Sequence, residues 1–232
     1  MKILSWDVGI INLSYCILNY DEDTKEKSIF KWGIINLIDD PIMKKNINLV
    51  FENIPKKLNE YDFLLDVDAV VIENQPSLKN PKMKSIQMIV YSYFLMYGKV
   101  LNNQENKINN IDFCNASNKL KVYKGPPISL EDLKRKKKKV DEKPIINDFV
   151  EKENNQETNQ ETSEIIVVEP EKKEKKSNKL SYGDKKKMAI KHVQYFLNEN
   201  NDIENLNFFN DHKKKDDLAD SYLQALYILK TK

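Results

Sequence analysis

Four carboxylates occupy positions where apolar segments would otherwise continue. Asp7 follows the run Ile3-Leu4-Ser5-Trp6 and precedes Val8-Gly9. Glu73 closes Ala69-Val70-Val71-Ile72. Asp217 and Asp220 open an apolar helical pattern three residues apart, a spacing that puts both on one helix face. An unpaired buried carboxylate costs several kcal/mol. Several together repel one another and take up protons unless a cation compensates them. Hard divalent ions such as Mg²⁺ take oxygen ligands, usually one or two carboxylates each. Four acids therefore suit two ions about 4 Å apart, an arrangement that stabilises both attacking and leaving oxygens in phosphodiester cleavage. Singly, each acid has a simpler reading. Asp7 suits a turn, Glu73 a polar strand end, and Asp216 or Asp217 a helix N-cap. Asp216 also competes with Asp217, because it shares a face with Asp220 at i, i+4.

The elements that must position these acids can be read from hydrophobic patterning. Residues 2–7, 12–20 and 29–37 are rich in strand formers and separated by short polar gaps, which predicts an antiparallel meander. A helix over 43–60 carries Ile47, Val50, Phe51, Ile54 and Leu58 at three-to-four spacing. The continuous apolar run 69–72 predicts a strand buried on both faces, and 111–114 a fifth strand. Between them, residues 82–101 predict one long helix that is apolar almost all round. Such a helix must be covered on two sides: it is either a central core helix or one packed on its own sheet and on a partner subunit, and in the second reading Ile89 and Phe94 face the partner. Two further helices are expected over 182–200 and 215–230.

Composition sets the outer limits. The chain has 232 residues and a formal charge of +2, which excludes binding to nucleic acid by bulk charge alone. That value sums unlike parts. Residues 1–112 carry net −2, 113–139 net +7, 140–180 net −4 and 181–232 net +1. Residues 125–181 begin Gly-Pro-Pro and include the basic run Lys134–Lys139. Apart from Ile165–Val168 they hold few apolar side chains, so the segment is expected to be a disordered charged insertion. Cys16 and Cys114 sit in apolar runs without CxxC partners and read as buried free thiols. No run of 18 apolar residues is present, so no membrane partner is expected. The strand-like opening leaves no room for a transit peptide, and a cytoplasmic location, such as the host cytoplasm of a large DNA virus, is expected rather than secretion.

The order of acids resembles the RNase H-like superfamily, and within it the RuvC-type Holliday junction resolvases: Asp on strand one, Glu on strand four, Asp-x-x-Asp on the final helix. Asp7-Val8-Gly9, Ile72-Glu73-Asn74-Gln75 and Lys214-Lys215-Asp216-Asp217-Leu218-Ala219-Asp220-Ser221 are most similar to the poxvirus resolvases and their fungal mitochondrial relatives. The resemblance covers residues 1–124 and 182–232. It implies an α/β fold: a five-stranded mixed sheet of order 3-2-1-4-5 flanked by helices, here with a long low-complexity insertion before the last two helices. It implies a metal-dependent endonuclease that cuts two symmetric strands of a four-way junction. It implies Asp7, Glu73, Asp217 and Asp220 as ligands of two Mg²⁺ ions, which Mn²⁺ can replace. It also implies a catalytic lysine after strand five, for which Lys119 is the first choice and Lys121 the second.

Arg135 is the only arginine, so bidentate readout of guanine is not expected and lysine–phosphate contact must carry DNA binding. Lys121, Lys124, Lys214 and Lys215 are the expected contacts to four-way or branched DNA. A two-fold homodimer through the 82–101 helix would match the symmetry of a junction. Rival readings are a nuclease of RNA or RNA/DNA hybrid, and a non-catalytic junction-binding module. No nucleotide cofactor is expected, because the five glycines form no phosphate-binding loop.

Overall fold

The structure is a computed structural model that describes residues 1–78, 80–102, 108–129 and 180–231. Most of the expected insertion, residues 130–179 with Lys134–Lys139, lies outside the described residues. Five strands form one mixed sheet among the described residues, in the order β3-β2-β1-β4-β5. β1 is Lys2–Val8, β2 Asn12–Tyr20, β3 Lys27–Asn36, β4 Ala69–Asn74 and β5 Asn110–Asn115. The first three form the antiparallel meander, and β4 and β5 add in parallel beside β1.

Helices cover both faces of the sheet. On one face lie α1 (Ile47–Leu58) and α2 (Pro81–Tyr93). There Leu4, Trp6, Val8, Val70 and Ile72 meet Val50, Ile54, Ile86, Val90 and Phe94 in one apolar cluster. On the other face lie α3 (Tyr182–Glu199), α4 (Ile203–Asp211) and α5 (Lys215–Thr231). Their core joins Ile3, Cys16, Leu18 and Val71 to Leu218, Ala219, Tyr222 and Leu223. Both cysteines are free and buried, as expected.

Two expectations need correction. Three helices, not two, follow the insertion. α4 was missed because Asn205, Asn207 and Asn210 interrupt its apolar stripe, although Phe209 is fully buried and stacks on Trp32. The 82–101 segment is also not one α-helix. It is α-helical to Tyr93 and then forms π turns over Phe94–Val100, with Leu101 N–H donating to the Met96 carbonyl. Phe94 is wholly buried beside Trp6, so it belongs to the core and not to a partner-facing surface. The exposed large apolar residues of this segment are Met88, Met96, Tyr97, Val100 and Leu101.

No helix among the described residues is long and apolar enough to cross a membrane.

Candidate active site

The parallel pairing of β1 with β4 creates the first half of the site. Trp6 and Ile72 are in register, so the next residues, Asp7 and Glu73, stand side by side at the carboxyl ends of neighbouring strands. Gly9 allows the turn that follows Asp7: a Cβ there would lie 2.5 Å from the Asn12 carbonyl oxygen. The first turn of α5 supplies the second half, with Asp216 and Asp217 in that turn and Asp220 in the next. The positive end of the helix dipole favours carboxylates there.

A lysine stands at the centre. Lys119 comes from the short 3₁₀ segment Ala116–Val122 that follows β5, and its side chain is buried. Its Nζ lies 2.8 Å from Asp7 Oδ1, 3.0 Å from Glu73 Oε1 and 3.1 Å from Asp220 Oδ2. All three ammonium hydrogens thus face carboxylates from three different elements. Lys121 takes no part: it is exposed and donates to Asn118 Oδ1 at 2.7 Å. Two residues of separation within this 3₁₀ segment decide which lysine enters.

The electrostatics show how crowded the acids are. Burial, then the neighbouring Asp7, raises Glu73 to about 8 despite Lys119. Burial raises Asp220 to about 6, with Lys119 opposing and Asp7 adding to the effect. Burial alone would push the Lys119 ammonium toward neutrality, but Asp7, Asp220 and Glu73 outweigh it and hold it charged. Burial, Asp216 and Asp7 together raise Asp217, which places its charge in the reach of Asp7. Asp216 behaves differently. Burial works against its ionisation, yet its ion pair with Lys186 of α3 overrides this and holds the carboxyl below the usual range. Asp220 thus shares Lys119 with Asp7, Asp217 feels the charge of Asp7, and Asp216 is held by Lys186 of α3.

Residues that sequence reasoning missed hold these side chains in place. Gln75 Nε2 donates to Glu73 Oε2 at 2.7 Å, and Gln75 N–H donates to Gln87 Oε1 at 2.8 Å, tying the end of β4 to α2. Below the acids, Ser221 Oγ meets Ser14 Oγ at 3.0 Å. Gln224 Nε2 lies 3.0 Å from Ser5 Oγ and 3.1 Å from the Trp6 carbonyl. Trp32 Nε1 donates to the Leu218 carbonyl at 3.1 Å. These contacts fix both the rotation of α5 and its position along its own axis. A signal for Gln224 was present: it lies one helical turn beyond Asp220, on the same face of an otherwise apolar helix.

The expected DNA-contacting lysines separate. Lys214 lies close enough to Asp217 to act on its charge. Lys215 donates to the His212 carbonyl at 2.7 Å. Lys124 lines a groove with Asn19, Lys25 and Lys230, by the β2 end that pairs with the start of β1, at the opposite end of the sheet from Asp7.

The site's donor set is made wholly of carboxylate oxygens, four of them against one ammonium, which suits hard divalent cations. Among the described residues no three acids are already grouped around a point where an ion would sit. The Lys119 ammonium stands between three of them instead.

No family model matches the chain. It is 33% identical over 219 residues to the uncharacterized protein L451 of Acanthamoeba polyphaga mimivirus, covering 93% of this chain but 42% of that protein's length. Among solved structures it is similar to the fowlpox virus resolvase in complex with Holliday junction DNA, with a TM-score of 0.53 at 18% identity over 100% of this chain and 98% of that one. It is likewise similar to the fowlpox virus Holliday junction resolvase, with a TM-score of 0.51 at 17% identity over the whole of both chains. The chain therefore shares the fold of the fowlpox virus resolvase, as the resemblance of its acidic motifs implied.

Proposed function

We propose that the protein is a divalent-metal-dependent endonuclease that resolves four-way DNA junctions, in the processing of viral or recombining DNA. The observation that carries this reading is the convergence of Asp7, Glu73 and Asp220 on Lys119, with Asp217 beside them, in a fold shared with a junction resolvase. Asp7, Glu73, Asp217 and Asp220 would hold Mg²⁺, two ions in our reading, with Mn²⁺ as a substitute. When bound, the ions supply a lowered water pKa and charge for the attacking and leaving oxygens. The chain's own groups do the rest. Gln75 orients Glu73, while Gln224 holds the acidic turn of α5 against β1 and Ser221 holds it against β2. Lys119, at the centre of the acids, would offer its ammonium to the scissile phosphate.

Residues 1–124 and 182–232 act in this reading as one catalytic unit, interrupted by 125–181. The exposed face Met88, Met96, Tyr97 and Val100 serves as the seam of a homodimer that sets two such sites on one junction.

The test compares a synthetic four-way junction, a linear duplex and an RNA/DNA hybrid, each with Mg²⁺ or EDTA. Paired cuts in the junction alone, lost in EDTA, are expected. Equal cutting of linear duplex, or cutting that persists in EDTA, overturns the reading. Preference for the hybrid would favour the RNA-directed alternative.

A further inference from the structure

Two lysines border the acids, and they differ in what their ammonium groups have left to give. Lys119 is buried, and its three donors face three carboxylates. Lys186, in the second turn of α3, stands at the rim with its side chain 37% exposed. It pairs with Asp216 Oδ2 on one side and lies 5.2 Å from the ring centroid of Tyr182 on the other. These two neighbours engage at most two of its three N–H donors. Its charge acts on Asp217 and on Asp220, so it belongs electrostatically to the same cluster although it touches neither. Tyr182, one helical turn earlier, is 77% exposed and shields one side of the ammonium from water. A lysine tethered by one carboxylate, flanked by an aromatic ring and still open on the solvent side is pre-set for a single anionic oxygen.

We propose that Lys186 is a phosphate-binding residue at the rim of the site, that it holds a backbone phosphate of the DNA strand adjoining the scissile position, and that Asp216 is the residue that positions it. The proposal rests on the nuclease reading above. It also accounts for two adjacent acids at the start of α5. Asp217 faces the metal-binding cluster, while Asp216 anchors the lysine that receives the strand. The contact is to phosphate, so it adds affinity without sequence preference.

The experiment measures binding of a fluorescent four-way junction in Ca²⁺ by anisotropy across a salt series, for the full-length protein and for K186Q, K186R and D216N. Wild-type binding should weaken with salt along a linear log–log plot. K186Q should bind about tenfold more weakly at moderate salt, with the slope reduced by about one phosphate contact, roughly 0.9. K186R keeps the charge and should recover both affinity and slope, which separates charge from folding. D216N leaves the lysine charged but untethered and should lose a few-fold in affinity at an unchanged slope. Wild-type affinity and slope in K186Q overturn the inference, as does a K186R as weak as K186Q. A wild type that binds linear duplex as well as the junction, with K186Q still impaired, overturns the junction reading instead and leaves the phosphate contact standing. A wild type that binds no DNA overturns both.

Discussion

The two faces of the sheet are built by different rules. Toward α1 and α2 the contact is mainly apolar, from Leu4, Trp6, Val70 and Ile72 to Ile54, Ile86, Val90 and Phe94, with buried Asn53 and Gln87 bonding to the loops that leave β3 and β4. Toward α5 it is punctuated by buried polar side chains: Ser5, Ser14, Ser221 and Gln224 are each fully buried and hydrogen-bonded across the seam. Apolar packing specifies that surfaces meet and how tightly, but it is non-directional. A hydrogen bond adds only about 1 kcal/mol net, yet a misplaced buried partner loses 1–3 kcal/mol. The seam that carries the acids is therefore indexed, and the opposite seam is filled.

The largest effects are expected at the acids themselves. Asp217→Asn should lower cleavage by about a hundredfold or more, while Asp216→Asn should leave the rate at saturating junction nearly intact. A single-turnover assay on a four-way junction reads both, and equal loss in the two would show that α5 does not discriminate between its adjacent acids.

One step away, Gln224→Leu should lower single-turnover cleavage about 10–100-fold, as loss of an outer-shell partner typically does. It should also cost about 1–3 kcal/mol of stability by removing the buried donor to Ser5 Oγ and to the Trp6 and Val71 carbonyls. Ile86→Ala on the other face should cost about 2–5 kcal/mol yet cleave at the wild-type rate below its melting range. Denaturant titration beside the cleavage assay tests the pair, and the reverse ranking in activity would erase the distinction between the faces.

The acids should weaken the fold they serve. Glu73, raised by burial and by Asp7 from 4.5 to about 8, contributes stability below about pH 4.5 that is lost as pH rises through 8. Glu73→Gln should thus melt a few degrees higher than wild type in EDTA at pH 8.5, show little gain at pH 5, and not cleave. Melting curves at the two pH values read this. The smallest effect belongs to His192, stacked on Tyr123 with centroids 3.9 Å apart and lowered by burial from 6.5 to about 4. Its neutral form supports the fold above pH 6.5, and that support is lost as pH falls toward 4. His192→Gln should flatten the melting temperature over that window.

Much of this was legible in the chain. The strands announce themselves through β-branched and aromatic runs, and the four acids stand out because each interrupts an apolar pattern. The choice between Lys119 and Lys121 was not legible, because both lie in one 3₁₀ segment and only its packing on α5 selects the inward one. Nor was the fate of Asp216: a partner thirty residues upstream, Lys186, claims it. α4 hid behind its asparagines, since its anchor, Phe209 on Trp32, is a tertiary contact with no local period. Phe94 looked like a seam residue because periodicity reports that a side chain is apolar, not which apolar surface it meets.

The final element of the site has a consequence for synthesis. Asp7 is made before α5; Asp217 and Asp220 follow more than two hundred residues later, and β1 finds α5 only after that interval. Non-local pairings of this kind form late in folding. A nascent chain holding β1 to β5 and Lys119 has two of its four acids and the lysine that neutralises them. On the proposed reading such a chain should not cut DNA, because two of its four acids are still missing.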